Sequence, residues 1–183
     1  MASLERAGSA PRFRFLVVLT PLLCGLICTF LTNIPVSVLG GLVPPPLLAL
    51  VPVYFWCLVR PDLMTPAAAL AIGFAEDVLS GGPPGVWTLS FVLTYVLVAR
   101  YRDSFAGLSG IAAVVGFSVA ATFACVMAWF IVAALAFLTP GAHSPPLGPS
   151  VSELAMTVIF YAPAALVVSW LHHKLVGASR GDV

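Results

Sequence analysis

Apolar positions in this chain gather into long runs with no two-residue alternation, which predicts helices and argues against the strands of a β-barrel. The runs cover residues 15–31, 42–59, 63–79, 86–99, 108–138 and 151–171. A helix crossing the hydrocarbon of a bilayer takes about 20 apolar residues. The third and fourth runs flank the turn Gly81-Gly82-Pro83-Pro84-Gly85. Each arm of that hairpin holds about 16 residues, or roughly 24 Å of helix against a bilayer core of about 30 Å. The turn is therefore expected to sit in a recess or to thin the membrane locally.

Composition turns this layout into a class. Of 183 residues 61% are hydrophobic and only 8% charged, with a mean hydropathy of +1.08. A soluble domain carries about 25% charged residues, so there is too little polar material here to face water all round. The expectation is an all-α, polytopic integral membrane protein of six transmembrane helices. A net charge of +1 without a basic patch excludes nucleic acid as a partner, and the hydrophobicity excludes a disordered chain.

The charges then predict an orientation. Arg6, Arg12, Arg14, Arg60, Arg100, Arg102, Lys174 and Arg180 all fall on one side of a six-span layout. The opposite connections, 32–41, 80–85 and 139–150, hold no Lys or Arg. Positive residues stay in the cytoplasm, so both termini are expected inside. Residues 1–14 form a short basic tail, 15–173 a single transmembrane domain and 174–183 a C-terminal tail. The first run has the basic flank of a secretory signal, but no small-x-small cleavage site follows Leu31, which favours a retained helix. Tyr54, Trp56, Tyr95, Tyr101, Trp170 and Trp87 fall near span ends, as interfacial belts do, while Trp129 is expected to pack on another helix.

Candidate chemistry is sparse. Cys24, Cys28, Cys57 and Cys125 lie inside apolar runs without neighbouring His or carboxylate ligands, and read as small hydrophobes. His172 and His173 read as polar anchors beside Lys174, and His143 stands alone in a Pro/Gly-rich loop. Pro44, Pro45 and Pro46 are expected to open the second helix. Pro52 and Pro163 then lie inside helices, freeing the carbonyls of Leu48 and Ile159, as stable kinks or as hinges. Ala112, Gly116, Ala120, Ala124 and Ala128 recur every fourth residue, a ridge that lets another helix approach closely. That helix belongs either to this chain or to a partner. No enzyme motif is present, and no cofactor is implied.

Glu76 and Asp77 are the exceptions, because ionisable residues within a span are costly. Ala69, Gly73 and Asp77 share a face, from which Glu76 is turned by about 100°. Divergence around a helix makes the two carboxyls a poor acid/base pair. At about 22 Å from the inner surface, Asp77 is out of reach of Arg60 and Arg100. The Gly-Pro turn brings the start of the fourth helix beside it, so Asp77 is expected to accept hydrogen bonds from those first N–H groups. Short Gly/Pro-interrupted spans also occur at transporter binding sites, which keeps a transport role open.

Tyr54-Phe55-Trp56 followed by Arg60-Pro61, then Gly73, Asp77, Val78, Leu79, Ser80, Gly81 and the Pro84-Gly85 turn, resembles the rod shape-determining MreD family. The close correspondence runs from Pro44 to Arg102; Glu76 beside Asp77 and the extra Pro83 depart from the family pattern. The resemblance implies a non-enzymatic inner-membrane component of the bacterial cell-elongation machinery, which builds lateral peptidoglycan. Its implied partners are an MreC-like single-span protein and, indirectly, MreB, RodA and a class B penicillin-binding transpeptidase. Members also look like the small-molecule-binding membrane subunits of vitamin uptake transporters, which gives the alternative function.

Overall fold

The computed structural model describes residues 11–34, 44–105, 107–108, 110–138 and 145–175. Among the described residues there are seven helices and no strand: α1 (Pro11–Thr32), α2 (Leu50–Val59), α3 (Pro66–Ser80), α4 (Val86–Arg100), α5 (Arg102–Phe105), α6 (Ile111–Leu138) and α7 (Leu147–Leu175). His143 and most of both tails lie outside the described residues. Arg12 and Arg14 belong to α1.

Five of the expected runs are helical over most of their length; the second is corrected. Pro44–Leu47 is not helical, and α2 has only 10 residues. Each proline disfavours the α region for its predecessor, so a run of three works against opening a helix there. Pro52 consequently lies in the first turn of α2. The Leu48 carbonyl is not freed: it accepts the Val51 N–H at 3.1 Å. The extended stretch is tied down through Leu47, whose N–H donates to Thr157 Oγ1 of α7 at 2.8 Å.

Short as it is, α2 forms the middle of the molecule, packed by α1, α4, α6 and α7. Leu50, Val51, Val53, Tyr54, Trp56 and Cys57 are all buried. This corrects the belt assignment of Tyr54 and Trp56. Both are core residues, and the Tyr54 hydroxyl and Trp56 Nε1 find no hydrogen-bond partner among the described residues. His172 is likewise buried, edge-on to Phe55 at 5.9 Å, whereas His173 is exposed. Trp170 and Tyr101 do lie on the outside, and Lys174 stands 4.7 Å over the Trp170 ring.

The small-residue ridge faces inward. Gly116, Ala120, Ala124 and Ala128 are buried and α6 packs on α4, while Ala112 is exposed and drops out of the ridge. Trp129 donates its Nε1–H to the Pro145 carbonyl at 3.0 Å, holding the start of α7 to the end of α6.

The exterior is apolar. Phe74, Val78, Val119, Leu166 and Phe137 (91% accessible) all project outward. Two helices, Ile111–Leu138 and Leu147–Lys174, are long and apolar enough to cross a membrane, and only 22% and 17% of their most apolar stretches are buried. A core helix of a soluble protein would be mostly buried, and a contiguous apolar exterior of this extent is unsuited to water. Charges sit apart from it. Arg60 follows α2, Arg100 is the last residue of α4, Arg102 the first of α5, and Lys174 lies in the last turn of α7.

Candidate functional site: a carboxylate-capped hairpin

The α3–α4 hairpin is specified at both ends by local chemistry. Thr65 caps α3, its Oγ1 accepting the Ala68 N–H at 3.2 Å, with Pro66 as the first helical residue. The helix stops at Gly81 (φ 67°), and Gly85 (φ 95°) starts α4; both backbones lie in the left-handed region that only glycine enters cheaply. Each arm has 15 residues, about 22 Å of helix. The arms touch at Gly73: a Cβ there would lie 2.7 Å from Thr88 Cα and 2.8 Å from the Trp87 carbonyl oxygen. Any larger side chain would push the two backbones apart.

Asp77 lies one turn beyond Gly73 on the same face and is only 5% accessible. Trp87 N–H donates to its Oδ1 at 2.7 Å; Gly85 N–H, Thr88 N–H and the Thr88 hydroxyl donate to its Oδ2 at 2.9, 3.0 and 2.5 Å. The expected hydrogen bonds to the fourth helix are therefore present. The first N–H groups of a helix have no partner within it, and the helix dipole favours negative charge at this end. One carboxylate from the neighbouring helix serves three of those donors at once. It is an N-cap supplied in trans, and it leaves α4 without need of a cap from its own Gly85.

Glu76 faces another way, toward α1, and is 3% accessible. Asn33 donates Nδ2–H to Glu76 Oε1 at 2.9 Å and to the Thr29 carbonyl at the same distance. Thr29 Oγ1 lies close enough to interact with the same carboxyl, although neither Thr29 Oγ1 nor Glu76 Oε2 makes a hydrogen bond of good geometry. Glu153 of α7 is partly buried, within electrostatic reach of Glu76, and lines a cavity of about 150 Å³ with Trp87, Trp129 and Cys125. The sequence pattern singles out neither Glu153 nor Asn33. The spacing of Thr29 and Asn33, four apart within an apolar run, was the available signal.

The residues singled out from sequence fall into two groups. Gly73, Asp77, Gly81 and Gly85 converge on the hairpin tip, with Ser80 Oγ reaching the Asp77 carbonyl at 3.5 Å and Pro84 exposed in the turn. Tyr54, Trp56, Arg60 and Pro61 are at the other end. There Arg60 forms a two-pronged ion pair with Asp62, Nε to Oδ1 at 2.9 Å and Nη2 to Oδ2 at 2.8 Å. The guanidinium holds the Asp62 carboxyl below the usual carboxylate range, and Asp62 in turn raises Arg60. The four cysteines are free, and among the described residues no three His, Cys, Asp or Glu side chains gather as a metal site. Set beside known proteins, the chain matches no protein-family model, no curated protein and no solved structure.

Proposed function

We propose that this chain is a multi-pass protein of the bacterial cytoplasmic membrane, with six spanning segments and both termini inside. In this reading it acts without catalysis, as a helix-packing scaffold of the MreD type in the cell-elongation machinery. An MreC-like single-span protein would be its direct partner, with MreB, RodA and a class B transpeptidase reached through it. The observation that carries the reading is the hairpin tip. The acidic residue shared with the family pattern, Asp77, is wholly engaged in holding two helices together, which suits a structural part better than a site of chemistry. Support for the layout comes from α1, α2 with its proline lead, α3, α4, α6 and α7 all running between a basic end and an end without described cations.

The test is genetic and biochemical. Depleting the protein is expected to round the cells, and affinity purification is expected to bring down an MreC-like single-span protein. Rods of normal width after depletion would defeat the scaffold reading. A reporter fused near His143 that reads as cytoplasmic would defeat the topology.

A further inference from the structure

Away from the hairpin, a groove of about 690 Å³ opens on the side of the bundle between α2, the α5–α6 connection, α6 and α7. That size lies within the range of ligand sites. Its walls are Leu58, Val59, Leu108, Val114, Ala162 and Ala165, and no charged side chain lines it. The floor is rigid: Tyr161 stacks on Phe117 at 4.1 Å and 12°, with Tyr54 edge-on to both at 6.3 and 5.4 Å. Along α7 the groove extends from Ser169 to Tyr161, about 12 Å parallel to the helix axis.

The two ends of this slot differ. Its inner end meets the basic end of the bundle, where Arg102 donates Nε–H to the carbonyl of Leu58, a wall residue, at 3.2 Å. That contact fixes the guanidinium at the rim. The Nη groups of Arg102 have no hydrogen-bond partner among the described residues. Arg60, by contrast, is already neutralised by Asp62. A water-soluble metabolite would find few side-chain partners, the hydroxyls of Tyr161 and Ser169, because the Tyr54 hydroxyl is buried. An amphiphile lying along the helices, with hydrocarbon below and an anion at the rim, matches both the slot and the Arg102 guanidinium beside it. Guanidinium groups pair with phosphate oxygens in a two-pronged fashion, and basic pockets between helices on the cytoplasmic side bind anionic headgroups.

We propose that this groove binds an anionic phospholipid, one acyl chain in the slot and the phosphodiester on Arg102. The proposal rests on the membrane reading above but not on the scaffold role. It is tested on the full-length protein in mild detergent, exposed to mixed vesicles of phosphatidylglycerol and phosphatidylcholine, with retained lipid counted by native mass spectrometry. Wild-type protein is expected to retain phosphatidylglycerol preferentially. Arg102→Gln is expected to lower that preference about fivefold, the effect of one cation near a headgroup, and Arg102→Lys, which keeps the charge but not the two-pronged contact, to lower it less. Ala165→Trp, which fills the slot, is expected to reduce retention of both lipids; helical content by circular dichroism identifies variants that have not folded. Equal retention of the two lipids by wild type would overturn the proposal, as would a preference that survives Arg102→Gln or a peptide or small metabolite retained in place of lipid. Alkaline carbonate extraction of the membranes separates the two levels: an extractable chain overturns the membrane reading, whereas an inserted chain without lipid preference overturns the lipid site alone.

Discussion

Asp77 and Asp62, at opposite ends of α3, are both satisfied carboxylates, yet their partners belong to different energetic worlds. Asp62 is exposed and meets a partly exposed guanidinium. Asp77 is buried and meets three backbone N–H groups and a hydroxyl already fixed by the start of α4. Exposed ion pairs give up side-chain entropy for a screened attraction and contribute between zero and about 1 kcal/mol. A buried carboxylate on preset donors is worth more, because its removal strands those donors without water. The lesson is that a charge in an apolar bundle is stabilised best by groups the fold has already oriented.

That comparison can be broken at several points. The largest effect is expected at Asp77→Ala, which leaves the first turn of α4 uncapped and should cost on the order of 3 kcal/mol. Asp77→Asn, which keeps an acceptor, should cost less, and thermal unfolding of the purified protein in detergent reads both. If Asp62→Ala cost as much as Asp77→Ala, the contrast would be wrong. Next comes Gly73→Val: its side chain would meet the Thr88 backbone, and separating the arms should cost about 1–3 kcal/mol. Gly73→Ala should fall below Gly73→Val in the same assay, since the first clash, at 2.7 Å, already arises from Cβ. Asn33→Ala removes the one well-formed hydrogen bond to Glu76 and is expected to cost about 1–2 kcal/mol; restoring the loss by a second change, Glu76→Gln, would show that the cost came from an unpartnered carboxyl. The smallest effect belongs to the Arg60–Asp62 pair. Asp62 is held below its ordinary range, so whatever stability the pair adds is present at neutral pH and lost as pH falls through that lowered range. Arg60→Ala should shift melting by no more than about 1 kcal/mol, the shift should vanish in high salt, and it should be absent at strongly acid pH.

Legibility from sequence followed the range of the interaction. The hairpin was readable because its signals are local: three glycines, two prolines and an aspartate within nine residues define where α3 ends, where α4 starts and which group joins them. The second helix was misjudged because three consecutive prolines suit a helix start only at the last of them, and the chain needs Leu47 to Ala49 to recover. Tyr54 and Trp56 were placed at an interface from their nearness to Arg60, but nearness along the chain says nothing about which neighbours surround a helix. A helix of 10 residues with four others around it buries the faces that carry Tyr54 and Trp56. The Glu76–Asn33 contact, 43 residues apart, was beyond any local pattern. Ala112 continues the ridge in sequence, yet it lies exposed, because four-residue spacing does not say how far along a helix its packed face extends.

The bond between Leu47 N–H and Thr157 Oγ1 joins residues 110 positions apart, and it has a consequence for the order of events during synthesis. When the proline lead and α2 emerge, the hydroxyl that will anchor them has not yet been translated. The α3–α4 hairpin, whose brace spans 8 to 11 residues, can close early. The central helix of the finished molecule is therefore the one seated late: its anchorage waits for α7, so a chain truncated before Thr157 would carry a finished hairpin and an unmoored centre.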